Sequence, residues 1–520
     1  MENKNHTTMD IQYGLAGFVN MGNTCYLNSV LQILSNIPLF RIYFIDKIYH
    51  MQIINNLRSK IGNIENIDDI GIISNNMKET ISYQLERLLK AIWKTKNSEI
   101  PTYKPTSFRR LITKKYESFN NYGQQDASEC IDAIFDLVEQ DIACTTEFTP
   151  QLTSEEIIAY NLFDEYYNHL NSESKSYQEK IEIKLLLREL EEKFIGYAKR
   201  YSQLLNLKQT YEKKYSLIDE LFSIGNNNII ICSNCGHKRY NYSNEYIIRV
   251  EMPSDSPSEL EIIEKMKTIV FPFELKQQEQ EQNEININKN SLLSVLNNQE
   301  NTCISDVESI SSDESKDGFD MFLDDDSDNN ITMSQSIFKP KQDINNFTIP
   351  KNLLESHRRT KAINEINASK QYTLEYCLDL YFRKDTVECR CNFCNENKEN
   401  EKSITLLNIP KYLIIQLKRF ELDWVNNVGI KKYQYIKFDE EIDIEKYVDK
   451  DLLEHLKTNT KYKLINVINH AGVYGGGHYY AYCKNSIDNT WYSFNDEHVS
   501  HISNVVSPNA YILIYEKQDD

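Results

Sequence analysis

Two Cys-x-x-Cys pairs are separated by 155 residues in this chain of 520 residues: Cys232 and Cys235, then Cys391 and Cys394. Each pair follows a strand-like run, and the two-residue gap lets both sulfurs of a pair reach one ion. Four thiolates suit a tetrahedral zinc that is structural, because four protein ligands leave no position open for water. Cys389 and His237 are nearby spare ligands, and four unmetallated core cysteines are the alternative.

The stretch between the pairs explains their separation. Residues 255–368 contain polar low-complexity sequence, and residues 300–330 carry eleven acidic residues against one lysine. This composition cannot bury enough apolar surface to offset chain entropy, so it predicts a disordered acidic insertion. Without the insertion about 40 residues separate the pairs, which suits two zinc knuckles on adjacent hairpins.

The remaining segments favour helices first and strands last. Helical periodicity covers 25–36, 77–96, 124–141 and 152–222. Runs rich in β-branched and aromatic residues, separated by Gly and Asn, predict antiparallel strands at 411–422, 462–472, 476–484, 489–496 and 510–517. The pattern therefore predicts one α+β domain with a large insertion.

One cysteine occupies the start of a predicted helix. In GFVNMGNTCYLNSVLQIL (17–34), Asn23 and Thr24 are good helix N-caps, and apolar residues then recur at helical spacing. Cys25 lies in the first turn, where unpaired N–H groups and the helix dipole favour a thiolate. A buried structural cysteine is the more common alternative, and a nucleophile also needs a base.

A candidate base lies in the strand-rich region. His478 follows three glycines, Gly475 to Gly477, which would let a substrate backbone approach closely. A hairpin would bring Asn495 or Asp496 beside the imidazole and hold its tautomer while the other ring nitrogen faces a thiol. Consecutive strand residues point to opposite faces, so only one of these two side chains can face His478 without a backbone irregularity.

The charge and the N-terminal sequence limit the class of partner. A net charge of −19 argues against binding to nucleic acid or to an anionic membrane, and favours a basic protein partner. The polar opening MENKNHTTMD contains no apolar signal segment. We therefore expect an intracellular protein, cytoplasmic or nuclear, with no membrane association, and a monomer.

Six motifs together resemble one family, the ubiquitin-specific proteases, which are papain-like cysteine proteases. They are GFVNMGNTCYLNSVLQ, YGQQDASE (122–129), the two Cys-x-x-Cys pairs, IIQLKRF, HAGVYGGGHYYAY and WYSFNDEHV. They occur in the family's order over residues 17–515.

The resemblance assigns roles to matching residues. Cys25 corresponds to the nucleophile, His478 to the general base, Asn495 to the orienting third member, and Asn20 to the side-chain donor of the oxyanion hole. Asp496, adjacent to Asn495, is the competing candidate for the third member. Asp126 matches a residue that binds the arginine-containing C-terminal tail of ubiquitin.

Residues close to these motifs complete the expected site. We expect Gln125, Gly477 and Tyr479 to contact the substrate as well. Cys130 departs from the family, which usually has Phe there, and we expect this change to affect packing only.

The resemblance also implies a hand-like fold of helical thumb, antiparallel β palm and zinc-ribbon fingers. We expect a tail and then a catalytic domain over 14–517, interrupted by the insertion, with these parts: tail 1–13, thumb 14–150, helical segment 151–222, fingers 223–254 and 369–408, insertion 255–368, and palm 409–517.

The implied activity is hydrolysis of the isopeptide or peptide bond after the C-terminal glycine of ubiquitin, through an acyl-enzyme. There are two alternatives to ubiquitin hydrolysis for a chain that resembles this family. One is a protease for another ubiquitin-like modifier, and the other is a catalytically weak scaffold that binds ubiquitin. A zinc-binding nucleic-acid module is disfavoured by the acidic charge.

Overall fold

The computed structural model describes residues 13–61, 75–94, 100–120, 123–150, 152–253, 259–271, 351–369, 371–423, 427–450, 453 and 459–519. Residues 1–12 of the predicted tail and the acidic run 300–330 lie outside this described part.

The thumb is helical and encloses the N-terminal part of the core. Its short strands β1 (Gly17–Phe18) and β2 (Thr102–Tyr103) pair in parallel. Its helices are α1 (Cys25–Ser35), α2 (Pro38–Ile45), α3 (His50–Ile61), α4 (Ile81–Lys94), α5 (Thr106–Lys115) and α6 (Ala127–Ile142), with a 3₁₀ turn at Glu117–Phe119. Every residue of α1 is buried, as expected for a helix at the centre of a core.

The helical segment after the thumb forms its own small core. Its helices are α7 (Ser154–Asn171), α8 (Tyr177–Lys193), α9 (Ile195–Lys213) and α10 (Leu217–Phe222). Capping boxes at Thr153 and Ser176 start α7 and α8. Phe163, Leu187 and Tyr201 pack together between these helices, and the chain then enters strands β3 (Ile224–Ile231), β4 (Lys238–Glu245) and β5 (Ile248–Glu251).

Within residues 256–366, the described segments 259–271 and 351–366 belong to a compact unit of their own. The described part of this stretch contains helix α11 (Glu259–Thr268) and most of α12 (Lys351–Ser369). Ile262, Ile269 and Ala362 are buried together there. The composition predicted disorder over all of residues 255–368. These two helices differ from that prediction because their apolar residues pack against one another.

The finger sheet joins strands from both sides of the insertion. After β6 (Gln371–Thr373) and α13 (Leu374–Phe382), the chain forms β7 (Asp385–Arg390) and β8 (Asn397–Asn408). The sheet has the antiparallel order β4-β3-β8-β7. Each Cys-x-x-Cys pair lies in the turn of one hairpin, either β3–β4 or β7–β8.

The palm is built on one long sheet. The strands of the palm region are β9 (Tyr412–Lys418), β10 (Phe420–Asp423), β11 (Val428–Lys431), β12 (Tyr435–Lys437), β13 (Glu441–Asp443), β14 (Lys461–Val473), β15 (Gly476–Lys484), β16 (Trp491–Asn495), β17 (His498–His501) and β18 (Ala510–Lys517), with a 3₁₀ turn at Glu445–Tyr447. The long sheet has the order β17-β16-β15-β14-β18-β9-β5, with β13 paired to β14. Helix α1 packs against β15, which brings the two ends of the chain together.

The α+β class and the antiparallel β14–β18 region are confirmed. However, β5 pairs with β9 in parallel, and β12 pairs with β6 in parallel, although the sequence indicated only antiparallel strands. None of the helices in the described part of the chain has the length and apolar character needed to span a bilayer.

Candidate active site and metal centre

Cys25 is the first residue of α1 and is 1% exposed. The loop before it is held by Asn20, whose Oδ1 accepts hydrogen bonds from the backbone N–H groups of Gly22 and Thr24, both at 3.1 Å. Thr24 was expected to cap the helix, but its Oγ1 accepts a bond from the N–H of Met21 at 2.8 Å instead. The turn is therefore shaped by Asn20.

His478, on β15, is placed between Cys25 and Asn495. Its Nε2 lies 2.6 Å from Oδ1 of Asn495. A hydrogen bond with Cys25 raises the pKa of His478 to about 9; burial opposes this effect and Asn495 adds to it. At neutral pH the ring is therefore an imidazolium, the form that a histidine reaches when it has taken the proton of a neighbouring thiol.

Asp496 contributes to the site by accepting hydrogen bonds from Asn20 and Asn28, not by bonding to His478. Strand β16 ends at Asn495, and Asp496 adopts a left-handed conformation with φ of 50°. Its carboxylate is 3.8 Å from Nε2 of His478, but it accepts hydrogen bonds from Nδ2 of Asn20 at 2.9 Å and from Nδ2 of Asn28 at 2.8 Å. The backbone irregularity lets both neighbours reach the site.

The turn that carries Asp496 is fixed against the N-terminal strand. The carbonyl of Asp496 accepts a hydrogen bond from the N–H of Phe18 at 2.8 Å. A Cβ on Gly17 would lie only 2.3 Å from the carbonyl oxygen of Glu497, so glycine is required for this approach. The contact brings Asp496 beside the loop of Asn20.

A cleft of about 690 Å³ lies between α6 and the palm, and Gln125, Asp126 and Tyr479 line it. Asp126 caps α6 by accepting a bond from the N–H of Ser128 at 2.6 Å, and its other oxygen accepts from the hydroxyl of Tyr511. Tyr479 is 3% exposed and forms part of the floor.

The α6 wall of the cleft is acidic. Asp126, Glu129 and Asp132 all line it, and burial raises the pKa of each carboxyl. Arg249 donates to the carboxylate of Asp132 at 2.5 Å, and its positive charge opposes the rise in pKa of all three carboxyls. A cationic peptide placed in the cleft would relieve the repulsion between these acids.

The side chain of Gln124, which lines the cleft, donates to the carbonyl of Gly477, the residue before His478. A Cβ on Gly477 would lie 2.4 Å from both the carbonyl oxygen of Ala471 and Nε2 of His470. Gly477 therefore permits close packing of β15 against β14.

The four predicted metal ligands lie together in the fingers, with all four sulfurs within 4.8 Å of one another. The separations are 3.7 Å for Cys232–Cys394 and 3.8 Å for Cys235–Cys391. A tetrahedral ion with Zn–S bonds of about 2.3 Å requires sulfurs about 3.8 Å apart, so this cluster fits zinc.

The two knuckles share one backbone pattern. The N–H of Cys232 bonds to the carbonyl of His237, and that of Cys391 to the carbonyl of Glu396, both at 2.9 Å. Gly236 and Asn395 occupy equivalent positions with positive φ, 70° and 66°. Neither spare ligand joins the described cluster: His237 stacks on Phe393, and Cys389 accepts a bond from Asn400.

A family model described as ubiquitin carboxyl-terminal hydrolase matches residues 16–515. The chain belongs to this family. Membership makes the protein a deubiquitinating hydrolase, and it confirms the family that the six motifs indicated.

Relatives within the ubiquitin carboxyl-terminal hydrolase family match at different lengths. A protein of Acanthamoeba polyphaga mimivirus named "Probable ubiquitin carboxyl-terminal hydrolase" is 23% identical over 556 residues, covering 98% of this chain and 91% of that protein. Ubiquitin carboxyl-terminal hydrolase Usp2 of Drosophila melanogaster is 35% identical over 158 residues, which is 29% of this chain and 16% of that protein.

A solved structure of the yeast SAGA DUB module with an Sgf73 mutant shares the fold. Its TM-score is 0.50 at 16% identity, with 98% of this chain and 70% of that chain covered.

The sequence did not predict three polar residues that contact the candidate active site and the cleft. Asn28, Gln124 and Tyr511 bond to Asp496, Gly477 and Asp126 respectively. Asn28 could have been noticed, because it is an amide at a buried position one turn after Cys25 on an apolar helix.

We predict about one zinc per chain by metal analysis, lost when Cys232 and Cys235 are both replaced by Ser. Removing two of the four ligands would abolish metal binding. Because the ion would link the two hairpins of the finger sheet, the thermal unfolding temperature should also fall.

Cys389→Ser is the matched control, since this thiol belongs to the same hairpin but not to the cluster. It should keep the metal. Metal-free protein that unfolds at the wild-type temperature would refute the zinc site.

Proposed function

We propose that the protein is a cysteine-type deubiquitinase that hydrolyses the bond after the C-terminal glycine of ubiquitin, with Cys25 as nucleophile. The observation that carries this proposal is the hydrogen-bonded series from Cys25 to His478 to Asn495, assembled from opposite ends of the chain. A thiol, a base and an orienting group in contact are what acyl transfer requires.

At neutral pH His478 already holds the proton taken from the thiol, and in the first step the Cys25 sulfur attacks the glycine carbonyl. The carbonyl oxygen becomes an oxyanion, which Nδ2 of Asn20 can stabilise with the hydrogen not used by Asp496. Asn495 holds the ring through its Oδ1, so the imidazole faces the sulfur.

In the second step the imidazolium gives its proton to the leaving lysine amine, and a thioester joins ubiquitin to Cys25. Water then attacks this acyl-enzyme with His478 as base, which releases ubiquitin and regenerates the thiol. The raised pKa of His478, about 9, suits an acid that must be protonated at neutral pH.

The acidic cleft supports ubiquitin as the substrate. Its wall of Asp126 and Glu129 would attract the arginine-containing C-terminal tail, and Gln125 and Tyr479 would lie along that extended tail. Gly477, which accepts a bond from Gln124 of the cleft, would contact the tail as well. Cys232, Cys235, Cys391 and Cys394 would hold one structural zinc that stabilises the fingers.

Ubiquitin carrying a C-terminal electrophile tests the proposal. We expect a one-to-one covalent adduct with the reduced wild type, seen as a mass increase. The matched probe made from another ubiquitin-like modifier should react far more slowly. No adduct with ubiquitin, from protein that is folded by thermal unfolding, would refute the proposal; a faster reaction with the other modifier would reassign the substrate.

Replacing Asn495 by alanine should lower kcat by about ten- to a hundredfold, because it loosens the base without removing it. It should also move the alkaline limb of the kcat/KM pH profile to lower pH. The reason is that the Asn495 hydrogen bond raises the pKa of His478, so its loss lets the ring deprotonate earlier.

Asn495→Asp is the control, since a carboxylate keeps the acceptor and should move the same limb to higher pH. An alkaline limb that is identical in all three proteins would contradict this role for Asn495.

A further inference from the structure

Lys431 makes three hydrogen bonds at His470, a histidine that lines the cleft, and at the nearby Gly472. Its Nζ lies 2.8 Å from Nδ1 of His470, and it donates to the carbonyls of His470 and Gly472 at 2.8 and 3.0 Å. Lys431 is at the end of β11, and His470 is on β14. These three acceptors satisfy all three protons of an ammonium group.

This arrangement determines the tautomer of His470. An ammonium has no lone pair, so Nδ1 must be the acceptor and the proton of a neutral ring must be on Nε2. Burial and the cations Lys431 and Arg419 lower the pKa of His470 to about 3, with His478 adding to the effect. Burial and Arg419 lower the pKa of Lys431 to about 8, so at pH 7 the pair is an ammonium and a neutral imidazole.

The ring is held so that its Nε2 edge faces the active-site strand. Phe420 and Tyr479 contact the imidazole, with ring centroids 5.0 and 4.5 Å from it. Nε2 is so close to Gly477 that a Cβ there would lie 2.4 Å away. His470 is 2% exposed and is among the residues that line the cleft, whereas Lys431 is not among them.

We propose that Lys431 is a positioning residue for substrate binding: it holds His470 in the Nε2–H tautomer and so keeps a hydrogen-bond donor beside Gly477 for a carbonyl of an extended substrate backbone. The inference rests on the proposed function, because it takes the cleft as the site of the ubiquitin tail. It concerns binding, so its loss should affect KM more than kcat.

The tautomer can be read directly from the full-length chain labelled with ring-¹⁵N histidine, by NMR at pH 7. The His470 signals are assigned by their loss in His470→Gln. We expect a single Nε2–H form in the wild type and a mixture of both tautomers in Lys431→Met, which keeps a chain of similar length without the donor. Lys431→Arg should restore the Nε2–H form.

Kinetics with a ubiquitin–fluorophore substrate give the second readout. KM should rise about three- to tenfold in Lys431→Met, the effect of one neutral hydrogen bond, while kcat stays within about twofold. Lys432→Met is the matched control, because its neighbouring ammonium pairs with Glu421 and does not contact His470. It should change neither the tautomer nor KM.

An unchanged tautomer in Lys431→Met, or a fall in kcat at constant KM, would overturn this proposal while the wild type remains an active deubiquitinase. Failure of the wild type to cleave ubiquitin would instead overturn the proposed function, and with it the substrate part of this inference.

Discussion

Replacing Cys25 by alanine should abolish ubiquitin cleavage, with kcat lower by about 10⁶, the loss typical of removing a nucleophile. Nothing else in the described site can take its place, since His478 and Asn495 would have no thiol to activate. The substitution removes one sulfur from a buried position, so we expect the fold to survive with a modest change in the unfolding temperature.

The measurement combines turnover of a ubiquitin–fluorophore substrate with trapping by the C-terminal electrophile. Cys25→Ala should form no adduct, although it should still bind ubiquitin. Cys144→Ala is the matched control, since that cysteine is partly exposed and lies outside both the site and the metal cluster. An adduct that persists in Cys25→Ala would show that another thiol reacts.

Replacing Asp496 by alanine should lower kcat by about 10²–10³, although Asp496 is not the closest partner of His478. Its carboxylate accepts the Nδ2 hydrogen bonds of Asn20 and Asn28 at 2.9 and 2.8 Å. Without it only the bonds from Gly22 and Thr24 to Oδ1 hold the amide of Asn20, so Nδ2 is no longer fixed and the oxyanion donor is weakened by up to that factor. KM should change little, because the oxyanion exists only after attack.

A double-mutant cycle shows whether Asp496 acts through Asn20. If it does, Asn20→Ala with Asp496→Ala should be no slower than the slower single variant, because both remove the same stabilisation. Asp488→Ala, in the turn before β16, is the control and should leave kcat unchanged. Multiplicative losses would mean that Asp496 acts independently, for example on His478 at 3.8 Å.

Strand alternation was the reason for expecting only one of Asn495 and Asp496 to reach the site. That rule holds inside a strand, and β16 ends at Asn495. The left-handed conformation of Asp496 could not be inferred from the letters Asn-Asp-Glu, because it depends on the turn packing against Gly17 and Phe18 more than 470 residues earlier. Long-range contacts of this kind leave no local pattern.

Local patterns did predict much of the fold. Apolar spacing predicted α1 within a residue at its end, and the β-branched runs predicted β14, β15 and β18 nearly to their bounds. The parallel pairing of β5 with β9 was missed because strand direction depends on which neighbour is chosen across the insertion, not on composition. Similarly, the network of Gln124 and Tyr511 across the cleft involves ordinary polar residues whose roles follow only from proximity.

The pairing of α1 with β15 has a consequence for biosynthesis. Cys25 emerges from the ribosome 453 residues before His478, and the packing surface of α1 is completed only by strands at the far end of the chain. At about 5–20 residues per second, roughly 20–90 s pass between the synthesis of Cys25 and that of its proposed base. A nascent chain would therefore carry the proposed nucleophile without its proposed partner, and hydrolysis could begin only after the strands that carry His478 have been synthesised.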